Sequence, residues 1–223
     1  MKMHRIAVVQ RGLTAAAVLA ALAVPVQAQT TFHINDVKGY NVVRVDSKAP
    51  LMAIETRTSQ VFGEVTTDPA DITKTTAKFE LNAESLDTGM PSRDQVMHVQ
   101  YIHSVLYPKI AFTLEKVTKA TPTALAEQQP AEIEFSGTLN MHGVSKPITG
   151  KGRVTYVKES EASKSLFKGD LLRIESQFTI KLSEFGIQIP ALSIMTVSNE
   201  QNVTLDVTGS TGTPSYFNPP EAK

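Results

Sequence analysis

The sequence predicts an all-β fold, an antiparallel barrel or sandwich with one short helix near one end. Two observations lead to this prediction: apolar and polar residues alternate at period two through most of the chain, and turn residues separate the alternating segments. Alternation places one face of each strand in a core and the other in water. Helical periodicity occurs in one segment only, which disfavours a parallel α/β sheet with its crossover helices.

The first 28 residues predict a signal peptide rather than a part of the fold. Lys2, Arg5 and Arg11 give a positive start, an apolar run follows over 13–24, and small side chains end at Ala28. The run is too short to span a hydrocarbon core of about 30 Å, so cleavage leaves no integral membrane segment. The 195 residues that remain carry 19 basic and 22 acidic side chains and predict an exported protein, periplasmic or secreted.

Eight segments of the remaining chain alternate and are predicted to be strands: 41–45, 61–65, 78–84, 110–115, 132–141, 154–156, 174–182 and 202–207. Between some of them, His142-Gly143 and Lys168-Gly169-Asp170 have the composition of tight turns. No shift in composition marks a linker. One domain is therefore predicted over 29–208, with a flexible tail over 209–223.

Three segments interrupt the alternation. The stretches 118–131 and 158–168 are polar and predict exposed loops. Segment 92–102 predicts the short helix, because Ser92 and Gln95 have the spacing of a capping box. Met97 and Tyr101 lie four residues apart and would face the barrel interior together.

The composition excludes several kinds of chemistry. Without cysteine the chain forms no disulfide, thiolate nucleophile or iron–sulfur cluster. Acidic and basic residues balance, which disfavours nucleic-acid binding. The histidines after the predicted signal, His33, His98, His103 and His142, do not have the spacing of metal ligands, so no metal site is predicted.

Catalytic motifs are also absent from the sequence, so no catalytic residue is predicted. A secreted hydrolase using Asp87, Asp94 or His98 is kept as an alternative. A turn rich in Asp, Thr and Gly, however, more often binds its own backbone through the carboxylates. Arg93 either pairs with Asp94 in that turn or offers a cation to an anionic ligand group.

The inward faces of such a barrel are apolar and can surround one small ligand. Each buried methylene contributes about 0.8 kcal/mol, so a long lipid chain would bind without specific polar contacts. The alternative is a barrel filled by its own side chains, as in a structural or stress-protective protein. The side chains predicted to line the interior are Phe79, Leu81, Phe112, Leu114, Phe135, Leu139, Phe178 and Ile180, with Phe185 and Ile187 from a late segment.

Two blocks of the sequence resemble a known family. The first is Ser85-Leu86-Asp87-Thr88-Gly89 with Arg93-Asp94 and Tyr107-Pro108-Lys109-Ile110-Ala111-Phe112. The second is Gly137-Thr138-Leu139-Asn140-Met141-His142-Gly143-Val144-Ser145-Lys146-Pro147-Ile148. Together with Phe185-Gly186-Ile187 they are similar to the YceI-like family, over roughly residues 61–207. The resemblance implies an exported bacterial protein whose antiparallel lipocalin-like β-barrel binds polyisoprenoid lipids in its interior.

The chain also departs from the family pattern. The His-Ser pair usual in the first strands is missing from 39–58. The late Arg-x-Asp-Phe-Gly motif of the family is replaced by Leu182-Ser183-Glu184-Phe185-Gly186, without the arginine.

These observations lead to the hypothesis of an exported, non-catalytic protein that sequesters or carries a long-chain isoprenoid in the barrel interior. The bound molecule would be an isoprenoid quinone or a polyprenyl lipid, and no covalent cofactor is expected. Arg93 and Tyr107 are predicted as polar contacts at the mouth. The expected partner is this apolar lipid and not a nucleic acid, and the sequence leaves a homodimer open.

Overall fold

A computed structural model describes residues 29–35, 39–49, 52–189 and 197–214. The predicted signal peptide and most of the predicted tail lie outside these ranges. The strands are β1 Thr30–Asn35, β2 Val42–Ala49, β3 Met52–Thr58, β4 Val61–Asp68, β5 Asp71–Asn82, β6 Lys109–Thr121, β7 Pro130–Met141, β8 Val144–Val157, β9 Leu171–Lys181 and β10 Glu200–Ser210. Helix α1 is Pro91–Val96, continued by a π-helical turn Met97–Ile102, and α2 is Glu161–Lys164; 3-10 turns occupy Ala83–Ser85 and Leu182–Phe185.

The strands form one antiparallel sheet that closes on itself. Its order is β1-β4-β5-β6-β7-β8-β9-β10, and β1 pairs in turn with β10, where His33 lies opposite Ser210. The hairpin β2–β3 continues the sheet beside β1, because β2 pairs with residues 201–206 of β10. The predicted antiparallel barrel with a short helix at one end is confirmed.

The outer edge of β3 is joined to the connection that follows β5. The Arg57 N–H donates to the Asp87 carbonyl at 2.8 Å, and the Asp87 N–H donates to the Arg57 carbonyl at 2.9 Å. These two bonds hold the segment before α1 against the hairpin, so α1 lies across one end of the barrel.

The two ends of the barrel carry different connections. The helix end carries α1, the Leu182–Phe185 turn and the β7–β8 turn at His142-Gly143. The loop end carries the β4–β5, β6–β7 and β8–β9 connections.

The alternation predicted from the sequence is confirmed in the strands. In β7, Ala131, Phe135, Leu139 and Met141 are buried, whereas Glu132 is exposed. The inward side chains of the barrel strands meet in a continuous apolar core that includes Phe32 and Ile34. Each of the eight predicted segments overlaps a strand.

Two strands were not predicted. In β3 the buried inward residues are Ile54, Thr56 and Thr58, and two threonines among three give little apolar contrast. In β1 only Phe32 and Ile34 carry the pattern, in a segment six residues long.

The predicted start of the helix was wrong. Helix α1 begins at Pro91, and Met90 occupies the capping position without a side-chain hydrogen bond. Proline is favoured at the first helical position, because the N–H that it lacks has no partner there and its φ is already helical. Ser92 therefore lies inside the first turn and caps nothing.

Three other boundaries also differ from the sequence predictions. Segment 118–131 is not an exposed loop throughout, since β6 continues to Thr121 and Leu125 turns inward. Segment 158–168 contains α2, which Ser160 and Ser163 begin with a capping box. Residues 209 and 210 belong to β10 rather than to the tail.

Candidate functional site

A cavity of about 750 Å³ runs through the barrel interior. Met90 and Arg93 from the helix end and Ile72 and Leu125 from the loop end all line it, so it extends along the barrel. Small-molecule sites typically have volumes of about 300–1,000 Å³. The hollow argues against the alternative of a barrel filled by its own side chains.

Nine of the ten predicted interior side chains line this cavity. They come from inward positions of β5, β6, β7 and β9 and from the segment after the Leu182–Phe185 turn. These residues are Phe79, Leu81, Phe112, Leu114, Phe135, Leu139, Phe178, Ile180 and Ile187. Met97 and Tyr101, predicted to face inward together, also line it.

Glycines on the neighbouring strands leave room for three of the aromatic rings. A Cβ added to Gly63 would lie 2.7 Å from the ring of Phe79, and one added to Gly137 would lie 2.4 Å from the ring of Phe112. A Cβ added to Gly150 would lie 2.5 Å from the ring of Phe135. Each ring therefore packs over a position without a side chain, and the middle of the barrel stays open.

The sequence prediction missed this role of the glycines. A glycine inside a strand pattern signals a close approach of other atoms, and Gly63, Gly137 and Gly150 all occupy inward positions. That signal was available in the sequence, although it does not say which ring the glycine accommodates.

The structure places Phe185 and Tyr107 outside the cavity lining. Phe185 is 1% exposed and lies in the 3-10 turn after β9, where period two no longer determines direction. The Tyr107 ring packs against the His142 ring, with centroids 4.6 Å apart, and covers Gly143.

A histidine pair joins three segments at the helix end. A carbonyl oxygen can only accept, so the Nδ1–H of His142 donates to the Phe185 carbonyl at 3.0 Å. The Nε2 of His142 then accepts from the Nδ1–H of His103 at 2.8 Å. The pair connects the end of the π-helical turn, the β7–β8 turn and the turn after β9, and neither histidine lines the cavity.

The cavity opens at the helix end. Among the described lining residues, those that are also solvent-exposed are Met90, Ser92 and Val96, all on α1 or next to it. At the loop end, Ile72 is buried and Leu125 is only partly exposed. A ligand would therefore enter beside α1.

Arg93 is the positively charged side chain on the described part of the lining. Its Nε–H donates to the Thr88 hydroxyl at 2.9 Å and its Nη2 to the Thr88 carbonyl at 2.7 Å. A guanidinium has five N–H donors, so three remain for a ligand or for water. The acidic lining residue, Glu80, is paired with Lys109 at 3.1 Å.

The residues considered for a hydrolase hold the turn before α1 instead. Asp94 accepts from the backbone and hydroxyl of Thr88, Asp87 accepts from the Gly89 N–H, and His98 Nε2 contacts the Leu86 carbonyl at 2.9 Å. Burial raises the pKa of Asp94, but the Thr88 hydrogen bonds outweigh burial, and the pKa lies below its ordinary value. Asp87, Asp94 and His98 do not line the cavity.

In the part of the chain that the structure describes, no three His, Asp or Glu side chains are grouped as they would be around a metal ion. Within the same ranges, no helix has the length and apolar character required to cross a bilayer.

Comparisons with known proteins agree with this architecture. A UPF0312 protein of Vibrio cholerae is 23% identical over 188 residues, which cover 82% of this chain and 92% of the relative. Among solved structures, Burkholderia cenocepacia BcnA matches with a TM-score of 0.58 at 19% identity, over 75% of this chain and 95% of that one. A domain from Saccharophagus degradans, described as polyisoprenoid-binding and implicated in plant cell wall breakdown, matches with a TM-score of 0.58 at 14% identity, over 82% and 99%.

The family model described as YceI-like domain matches residues 23–209, which include every described strand except the final residue of β10. The match therefore spans the whole cavity and the segment over its mouth. This chain belongs to the YceI-like family.

Proposed function

We propose that this protein binds a long-chain isoprenoid lipid in the barrel cavity and sequesters or carries it without catalysing a reaction. The observation that supports this most directly is the cavity itself, which is long, apolar and open at one end. A chain of isoprene units is long and apolar, and each buried methylene contributes about 0.8 kcal/mol. The polyisoprenoid-binding description of the Saccharophagus degradans domain supports the same ligand class.

The proposed ligand is an isoprenoid quinone or a polyprenyl lipid with its polar end at Arg93. Because Arg93 has donors left over beside the mouth, a carbonyl or phosphate oxygen there would receive a charge-assisted hydrogen bond. The tail would then extend toward the loop end along Phe79, Phe112 and Phe178.

The non-catalytic part of the proposal is supported by the use of the acidic residues. Asp87 and Asp94 bind the backbone of their own turn, and neither faces the cavity in which a substrate would lie. A hydrolase that used Asp87 or Asp94 would require one of these carboxylates to reach the ligand.

Blocking the cavity tests the proposal. Ser176 faces the cavity from β9, whereas the adjacent Gln177 is exposed on the outer face of the barrel. Ser176→Phe places a ring in the hollow, and Gln177→Phe places the same ring in solvent. Calorimetric titration of delipidated protein with a quinone bearing several isoprene units should give one site in the wild type and in Gln177→Phe, and affinity at least about 100-fold lower in Ser176→Phe. Equal affinity in the two variants would contradict the proposal.

We also propose that residues 1–28 direct export and that the protein acts in the periplasm. The positive start, the apolar run and the small residues before Gln29 support this assignment. The intact mass of the protein from a periplasmic extract should correspond to a chain beginning at Gln29. A chain that retains Met1, recovered from the cytoplasm, would contradict it.

A further inference from the structure

The loop between β6 and β7 sends one side chain into the barrel. Residues 121–124 and 126–130 are exposed, whereas Leu125 between them is partly buried, packs against the core and lines the cavity. A single apolar side chain is thus inserted at the loop end from an otherwise polar segment.

Hydrogen bonds fix this loop on two sides. The Leu125 N–H donates to the Pro69 carbonyl at 2.7 Å, and the Thr123 carbonyl accepts from the Ile72 N–H at 2.9 Å. On the other side, the Gln128 N–H donates to the Tyr156 carbonyl at 2.8 Å. The loop is therefore bound to the β4–β5 turn and to the end of β8, so backbone contacts hold Leu125 in place in addition to its own packing.

Side chains of β1 fill the part of the barrel that lies next to β10. Phe32 and Ile34 are 0% exposed and do not line the cavity, and the Phe32 ring contacts the Tyr156 ring edge-on at 6.4 Å. At the loop end, the described lining of the hollow includes Leu125 and the buried Ile72.

We propose that Leu125 is the end stop that sets the longest isoprenoid chain the cavity accepts. The inference rests on the proposed function, with the polar end of the ligand at Arg93 and the tail tip at the loop end. A chain whose tip reaches Leu125 gains nothing from further isoprene units, because these units must either displace packed side chains or remain outside the mouth. Leu125 is thereby a specificity-determining residue for chain length.

Two substitutions of Leu125 with opposite effects on cavity length test the inference. Leu125→Ala removes three carbons and lengthens the cavity, whereas Leu125→Trp shortens it. Ala124→Trp is the matched control, because residue 124 is exposed and adjacent. The probes are quinones with the same head group and tails that increase by one isoprene unit, titrated into each delipidated protein at equal detergent concentration.

For the wild type, affinity should rise with tail length and then stop rising. The length at which it stops should be longer for Leu125→Ala, shorter for Leu125→Trp and unchanged for Ala124→Trp. At the longest tail that the wild type accepts well, Leu125→Trp should bind about tenfold more weakly or worse, because the larger ring occupies space that the tail tip fills in the wild type.

Two results would overturn the inference while the wild type still binds. One is the same length preference in all four proteins. The other is an equal loss for every tail length in Leu125→Trp, which would place the head group rather than the tip at residue 125. If the wild type binds none of the quinones, the proposed function fails and the inference fails with it.

Discussion

The two ends of the barrel differ in what holds them and in what they leave exposed. At the loop end, side-chain hydrogen bonds join neighbouring connections: the Tyr156 hydroxyl donates to Asp170, the Asp170 N–H donates to the Thr211 hydroxyl at 3.0 Å, and the Ser210 hydroxyl donates to the Lys168 carbonyl. At the helix end, Val99, Leu106 and Val105 are 63%, 72% and 86% exposed.

Because one end is closed and the other is only covered, a single closed sheet can hold a ligand cavity. Polar contacts and the packed rings of Phe32 and Tyr156 close the loop end. At the helix end, the barrel is covered by a short helical segment whose apolar side chains face both the cavity and solvent. A ligand that enters at the helix end would therefore stop at the closed loop end.

The largest effect on the free energy of unfolding is expected for the packed side chain of Phe32. Phe32→Ala removes a fully buried ring and should lower the free energy of unfolding by about 3–5 kcal/mol. Phe178→Ala, in the cavity wall, should cost less than half as much, because the ring already borders a hollow and its loss creates less new cavity. Urea unfolding of both variants measures the difference, and equal losses would mean that the two regions are packed alike.

At the mouth, Arg93→Met should weaken binding of an isoprenoid quinone by about 1.5–3 kcal/mol, the usual range for a hydrogen bond to a charged group. Binding of squalene, which has no polar head, should stay the same and serves as the control. An equal loss for squalene would show that Arg93 acts through its bonds to Thr88 rather than on the ligand.

Between the two ends, the hollow depends on the inward glycines. Gly137→Ala puts a Cβ into the Phe112 ring and close to the Thr113 carbonyl, so we expect a loss of about 1–3 kcal/mol in unfolding free energy. Thr138→Ala, the outward neighbour, should cost less. A Gly137→Ala variant as stable as the wild type would contradict the packing of Phe112 over Gly137.

The smallest effect concerns the polar closure of the loop end. Burial, followed by the hydrogen bond to Asp170, raises the pKa of Tyr156 to about 12. Because the pKa is raised in the folded state, the stabilisation by the protonated Tyr156 hydroxyl is complete below the unfolded pKa of about 10. It is lost as the pH rises through 12. The ultraviolet difference spectrum between wild type and Tyr156→Phe should show phenolate formation near pH 12, and at lower pH in Asp170→Asn. A transition near pH 10 in both would contradict it.

Most of the fold could be predicted from the sequence, because a strand with one buried face carries an apolar residue at every second position. The same rule placed Phe79, Phe112 and Phe178 on the cavity wall. It does not extend to Phe185 and Leu125, which lie outside the alternating segments, in a 3-10 turn and in a loop that is bound to Pro69.

The existence of a hollow could not be predicted from alternation. Alternation states which side chains point inward, and the free volume depends on how they pack against one another. Gly63, Gly137 and Gly150 let three rings lie along the wall, and this requires the register between strands as well as their sequences. The position of the mouth could not be predicted from the sequence either, because the backbone hydrogen bonds between Arg57 and Asp87 bring α1 to β3.

Native mass spectrometry of the protein purified from its own host tests the central claim most directly. The wild type should carry one molecule with the mass of an isoprenoid lipid per chain, released by organic solvent, and Ser176→Phe from the same host should carry none. A wild type that repeatedly arrives empty, or a lipid retained equally by Ser176→Phe, would contradict a lipid-filled barrel.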